Sequence, residues 1–387
     1  MDISYILNHL GEDRKNYFNA IAPPIIQSSN FAFADLASMR RALQDEKESP
    51  FYTRGCNPTV RILRQKLAAL EQAEDALVFS SGSAAMAAAV LSQLSGGDHV
   101  VCVAKPYSWT NKLLNQLLAR FGVSTTMIDA TDPAHYEAAI QPNTRLLLLE
   151  SPNSITFELQ DIAAVVEIAR RHNLRTIIDN SYATPLFQSP IVMGIDLVVH
   201  SASKYLSGHS DIVAGVVCGS RAIISRLFSH EYMTLGGIIS PHDAWLMIRG
   251  LRTLPLRLSR SHETTMQVVA YLEQHPKIVR VNFPFSPNFP QYELAKKQMS
   301  GCGGLFSAEL RATELEQIDQ FCERLHYFLL ACSWGGHESL AFPMSALYTA
   351  QNYHAATALP WNLVRFYVGL EDADLLIADL AQALDAL

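Results

Sequence analysis

The chain has 387 residues, 49% of them hydrophobic and 17% charged, so it is too long for one small core and too apolar to stay disordered. A net charge of −7, no Lys/Arg run longer than two residues and no apolar run of about eighteen residues argue against nucleic acid and membranes as partners. Six scattered cysteines without a C-x-x-C pair, thirteen histidines without H-E-x-x-H spacing, and a start at Met1–Leu10 unlike a signal peptide predict a reduced, cytoplasmic protein without disulfides or a metal.

Residues 1–55 are mixed and polar, broken by Pro23-Pro24 and by the charged run before Pro50; they predict an extended arm with one short helix around Leu36–Asp45. From 56 to 245, short apolar runs alternate with helical periodicity. Strands are predicted at His99–Val103, Ser124–Asp129, Leu146–Glu150, Thr176–Asp179, Leu197–His200 and Ile212–Cys218. Helices are predicted at Val60–Glu71, Ala84–Leu94, Lys112–Arg120 and Ile162–His172. Such alternation means an α/β domain, a mainly parallel sheet with helices on both faces, and ligands outside the carboxyl ends of its strands. Residues 246–387 predict a smaller α+β domain. A long helix runs from Pro241 to about Gln274 with a kink or break at Pro255, and strands follow at Gly303–Leu310 and Val364–Gly369.

Chemistry-bearing residues recur at the ends of these elements. Tyr52 and Arg54, two apart on an extended segment, project to one side and suit a dianionic phosphate or plain solvent. The small residues Ser80-Ser81-Gly82-Ser83 precede an Ala-rich helix, whose free amides hold either a phosphate or only a Ser cap; neither a Walker loop nor G-x-G-x-x-G is present. Tyr107, after a strand, can stack on a flat ring or pack in the core. Asp179 ends an apolar strand, where it faces a cation such as a protonated pyridine nitrogen or caps the next turn. Lys204 follows a buried-type strand and Ser201-Ala202-Ser203; it is one of nine lysines and the only one between Lys112 and Lys277. Desolvation there makes its amine a nucleophile for an aldehyde cofactor, unless the side chain snorkels outward. Arg365 sits inside an apolar strand pattern and calls for an anionic partner, either a substrate carboxylate or a structural salt bridge.

Together these residues describe a site for pyridoxal phosphate (PLP) and an amino acid, and their motifs resemble one family across almost the whole chain. His200-Ser201-Ala202-Ser203-Lys204-Tyr205-Leu206-Ser207-Gly208-His209-Ser210-Asp211 is similar to the PLP-lysine motif of the Cys/Met-metabolism enzymes, which include cystathionine γ-synthase, β-lyase and γ-lyase and methionine γ-lyase. Tyr52-x-Arg54-x-x-Asn57-Pro58-Thr59 resembles that family's phosphate clamp, which reaches the neighbouring subunit's cofactor. The resemblance implies the aspartate-aminotransferase-like fold and a homotetramer of two dimers with shared sites, the arm 1–55 contributing to the neighbour. It implies that Lys204 carries PLP, that Gly82, Ser83, Ser201 and Ser203 hold its phosphate, and that Tyr107 stacks on the ring and shares in catalysis. It further implies that Asp179 pairs with the ring nitrogen and that Ser333, Trp334 and Arg365 bind the small-molecule amino-acid substrate.

Within the family, Ser333-Trp334-Gly335-Gly336-His337-Glu338-Ser339-Leu340, Gly369-Leu370-Glu371-Asp372, Glu150–Thr156 and Gly301–Phe306 resemble bacterial cystathionine β-lyases most. Cys332 and Trp334 stand where γ-acting members usually have Glu and Leu, whereas Asn57-Pro58-Thr59 is more typical of the γ-type. Ser154 stands where many members have an Asn that bonds the ring oxygen, and Ser108-Trp109 replaces Gly-Gly or Gly-Cys, which predicts a reshaped pocket. The implied activity is a carbon–sulfur lyase that cleaves cystathionine or a similar thioether by β-elimination to a thiol, pyruvate and ammonia. A γ-acting member is the alternative, and a catalytically silent PLP-fold binding protein the more remote one.

Overall fold

The computed structural model describes residues 1–348, 359–385 and 387. Seven strands build the larger sheet: β1 (Asp75–Phe79), β2 (His99–Val103), β3 (Ser124–Ile128), β4 (Thr144–Glu150), β5 (Arg175–Asp179), β6 (Leu197–Ser201) and β7 (Gly215–Gly219). Their spatial order is β1-β7-β6-β5-β4-β2-β3. Strands β6, β5, β4, β2 and β3 are mutually parallel, as their near-continuous apolar runs predict for strands covered on both faces. The other edge departs from that pattern: β7 runs antiparallel to both β6 and β1. No helix separates β6 from β7, so the chain turns back on itself instead of crossing over. Strand β1, absent from the sequence expectations, closes this edge.

The helices begin where local chemistry starts them. In α3 (Pro58–Leu70), Asn57 caps the first turn through Thr59 N, and Pro58 occupies a position that needs no amide donor. The helix predicted across Pro255 is two helices, Pro241–Leu251 and Leu254–Gln274. Proline disfavours helical backbone before it but suits a first turn, so the break falls at Arg252-Thr253 and Pro255 opens the second helix.

The arm is less extended than expected. It holds α1 (Ile3–Asn8) as well as α2 (Leu36–Gln44). Lys66 of α3 is fully buried and fastens the arm's start: its Nζ lies 3.1 Å from Glu12 Oε1 and donates to the carbonyls of Ile6 and Leu7 at 2.9 and 3.1 Å. Phe18, Ile21 and Leu36 remain exposed.

A second sheet has the order β10-β11-β12-β9-β8, with β8 (Ile278–Asn282), β9 (Leu305–Leu310), β10 (Leu329–Leu330), β11 (Leu340–Pro343) and β12 (Leu363–Tyr367). Strand β12 pairs antiparallel with β11 and β9. One apolar core runs through both sheets. Polar ties join them as well, since Gly304 N donates to the Tyr205 hydroxyl at 2.7 Å and Tyr182 donates to Leu305 O at 3.1 Å. Among the described residues, no helix is long and apolar enough to cross a membrane.

Candidate active site

The carboxyl ends of β2, β4, β5 and β6 open on one edge of the large sheet, and the small sheet leans over it. Between them lies a cleft of about 400 Å³. It brings together Gly82, Ser83, Tyr107, Asp179, Ser201, Ser203, Lys204, Ser333 and Trp334 from five separate chain segments.

Lys204 sits in the turn after β6, and that turn is held hard. Arg257, itself buried, donates to Tyr205 O and Gly250 O, both at 2.9 Å. Gly208 has φ +72°, and a Cβ there would lie 1.9 Å from Arg257 NH1, so glycine is needed for both shape and space. The Lys204 amine points into the cleft and donates to Ser333 Oγ. Its pKa is lowered to about 8, chiefly because burial disfavours the charged form and also because Arg365 adds a like charge. Trp334, packed on the Tyr205 ring at 5.2 Å, places its own ring 5.6 Å from Lys204 Nζ.

At one end of the cleft, α4 (Gly82–Leu91) points its first turn inward. Ser81 caps it through Ala84 N, and Ala85 N is the first amide to bond Ser81 O. The amides of Gly82 and Ser83 therefore precede the intrahelical ladder and are available to an anion. A Cβ on Gly82 would lie 2.9 Å from both Cα and Cβ of Ser201, so only glycine lets this helix end and β6 converge. The Ser203 hydroxyl is engaged with Ala214 on both sides, accepting from its N at 2.9 Å and donating to its O at 3.2 Å.

Asp179 ends β5. Ser181 donates to its Oδ1 from the backbone at 2.9 Å and from the hydroxyl at 2.5 Å, which orients the carboxylate and leaves Oδ2 to accept from the cleft. Beside it in register stands Glu150, the last residue of β4. Glu150 lies outside the residues to which the sequence assigns a role, although it carries the same signal as Asp179, an acid closing an apolar strand. Its Oε2 accepts from Tyr107 N at 2.6 Å and its Oε1 from Ser154 N at 3.0 Å. Burial and the neighbouring Asp179 push its pKa up to about 7.

Arg365, in the middle of β12, forms no structural salt bridge among the described residues, the blander of its two readings. No carboxylate lies within ion-pair distance of it among the described residues. Its NH1 and NH2 reach the carbonyls of Ser154 and Ser333, each at 3.4 Å, and its guanidinium lies 5.4 Å from the Phe342 ring centroid. Burial lowers its pKa to about 10, which leaves it cationic at neutral pH. Ser333 adopts a left-handed backbone, φ +77°, as it turns its hydroxyl toward Lys204 and its carbonyl toward Arg365. The half-buried cation is thus satisfied only by long bonds to carbonyls, and its charge has no anionic partner among the described residues.

Two further residues fall outside the cleft. Tyr52 and Arg54 are exposed on the arm, the guanidinium 5.6 Å from the ring centroid, and neither lines this chain's cleft. Trp109 does not line the Lys204 cleft. It lines a neighbouring apolar groove of about 530 Å³ with Met86, Leu113 and Leu117, and Lys112 Nζ sits 4.5 Å from the centroid of its ring.

A family model described as "Cys/Met metabolism PLP-dependent enzyme" matches residues 5–385. The chain is 40% identical over 381 residues to an L-methionine gamma-lyase of Treponema denticola, covering 96% of this chain and 94% of that protein. It is 36% identical over 385 residues to a chloroplastic cystathionine gamma-synthase of Arabidopsis thaliana, covering 98% of this chain and 68% of the relative. The crystal structure of metB from Corynebacterium glutamicum superposes with a TM-score of 0.91 at 33% identity, over 100% of this chain and 98% of that one.

Proposed function

The chain belongs to the PLP-dependent enzymes of Cys/Met metabolism, and on that premise we propose that it cleaves the carbon–sulfur bond of a sulfur amino acid by γ-elimination. The products are a thiol, 2-oxobutyrate and ammonia, with one water consumed. The observation that carries this reading is a desolvated amine, Lys204, and a half-buried guanidinium, Arg365, that meet at Ser333, the guanidinium having no carboxylate partner among the described residues.

The residues present fit PLP. The missing Cβ at Gly82 leaves a cradle where the amides of Gly82 and Ser83 and the hydroxyl of Ser201 would hold the phosphate, while Ser203 would join them only by turning its proton away from Ala214 O. Asp179, with Oδ2 available, would face the ring nitrogen, Tyr107 would stack on the ring, and Lys204 would carry the aldehyde carbon. Bound PLP supplies an electron sink that stabilises negative charge at the substrate's carbons. Arg365, helped by Ser333, holds the substrate carboxylate and so fixes which hydrogen faces Lys204. The Lys204 amine, with its pKa near 8, takes the proton from Cα and then from Cβ. Tyr107, on the opposite wall, delivers a proton to the departing sulfur. Tyr52 and Arg54 of a second copy complete the phosphate clamp, in keeping with their exposure on the arm and with assembly as a homotetramer.

The γ-acting relatives support this choice over the β-elimination expected from Cys332 and Trp334. The β-reading retains one specific support, since the thiol of Cys332, and not a carboxylate, lines the cleft beside Ser333. Product analysis separates the two. With cystathionine, 2-oxobutyrate and cysteine mean γ-cleavage, whereas pyruvate and homocysteine would overturn it. Lys204→Ala should abolish both the yellow absorbance of the bound cofactor and turnover, and turnover persisting in that variant sinks the whole assignment.

A further inference from the structure

Glu150 lies outside the cleft lining, yet it touches the supports of both cleft walls. One oxygen accepts from the backbone of Tyr107 at 2.6 Å, and the other accepts from the backbone of Ser154 at 3.0 Å. The carbonyl of that same Ser154 receives NH1 of Arg365 at 3.4 Å. Tyr107 lies in the loop after β2 and Ser154 in the loop after β4, so no ladder bond of the sheet sets one against the other. Asn153 adds a second strut between these loops by donating to Lys105 O. The carboxylate is buried, and its own amide is held by Gln160 Oε1 at 3.1 Å, so it has little freedom to reorient.

We propose that Glu150 is a positioning residue, whose two oxygens fix the stacking residue Tyr107 and, through Ser154, the carboxylate-binding Arg365 in one frame. This rests on the roles given above to Tyr107 and Arg365, but not on whether β- or γ-cleavage occurs. A single carboxylate spanning two amides is what makes the frame: a neutral isostere keeps an acceptor for one of them and turns an N–H donor toward the other. The charged and titratable groups facing it are Asp179 from β5, Arg365 from β12, Tyr107 and the buried thiol of Cys102 from β2.

The test uses the PLP-loaded enzyme with l-norleucine, an amino acid of methionine's shape without a scissile sulfur. In Glu150→Gln, cofactor content should be retained, the visible circular dichroism of the bound cofactor should change as Tyr107 shifts, and norleucine should bind roughly 10- to 100-fold more weakly. KM should rise by a similar factor, with a smaller effect on kcat. Norleucine affinity within about twofold of wild type together with an unchanged dichroic band would overturn the proposal. Should Glu150→Gln not fold, Glu150→Asp decides: one methylene shorter, it reaches one amide only, and wild-type norleucine binding in that variant overturns the proposal equally. A wild-type enzyme that binds norleucine but cleaves no sulfur amino acid would defeat the assigned reaction and leave the role of Glu150 standing.

Discussion

At the scale of single residues, the site is governed by charge placed where water is scarce. Lys204 and Arg365 are two desolvated cations that meet at Ser333, and the guanidinium makes the charge on Lys204 more costly. A lysine in water is protonated until near its ordinary pKa of 10.5, whereas Lys204 loses its proton at about 8. Only the neutral amine attacks an aldehyde, so PLP uptake by the cofactor-free protein should accelerate as pH rises through about 8 and then level off. Arg365→Met removes the like charge, so Lys204 should hold its proton to higher pH and the uptake curve should move up the pH axis. Stopped-flow absorbance at 420 nm or so measures both. An uptake rate indifferent to pH between about 7 and 9 contradicts this account. These charges are legible in the sequence because a Lys, Asp or Arg inside an apolar strand pattern has few bland explanations. Glu150 carries the same signal, but besides the amide of Ser154 in the loop that follows it, its partner is the amide of Tyr107 in the loop after β2, and no local pattern names that one. Trp109 misleads for a related reason: which way the first turn after a strand points its side chains is decided by packing against α4 and not by the turn's own residues.

At the scale of elements, the site depends on close approach between backbones. Gly215, the first residue of β7, faces the end of β1, and a Cβ there would lie 2.2 Å from Ser81 O and 2.8 Å from Ala85 Cβ. Gly215→Ala must push the first turn of α4 away from the sheet, because the obstructing atom is backbone and cannot rotate aside. We expect a loss of about 1–3 kcal/mol in stability, measured by denaturant unfolding, together with weaker PLP retention on dialysis. Retained cofactor affinity in a destabilised variant would show that α4 relaxes without moving its amides. The helices and parallel strands are largely legible in the sequence, since periodicity and caps are local properties. The direction of β7 is not, because the apolar run Ala214–Cys218 reads the same in either sense; what sets it is the absence of a crossover helix after Lys204. The edge strands β1, β8 and β10 escape notice for a similar reason, being short runs next to helices that dominate the window.

At the scale of the molecule, the arm is joined to the body through a buried ionic cluster. Glu12 meets Lys66 at 3.1 Å, Arg14 at 3.0 Å and Arg252 at 3.1 Å. Lys66→Met removes the fully buried member and frees the carbonyls of Ile6 and Leu7. Glu12 keeps its two arginines, so the cost is that of two carbonyls left without their donor, about 1–3 kcal/mol of arm docking. Limited proteolysis should then cut near the N-terminus much faster than in the parent protein, with Lys204 and its cleft unaffected. Cleavage at the parental rate would mean that apolar contacts of Ile6 and Leu7 alone hold the arm.

The bond from Lys204 Nζ to Ser333 Oγ joins the large sheet's turn to the small sheet's loop. A hydroxyl that accepts from an amine keeps its own proton to donate, so on the reading proposed above Ser333 can hold Lys204 and a substrate carboxylate at once. The seam between the two sheets is in this way part of the substrate seat, and whatever shifts one sheet against the other is felt by both groups.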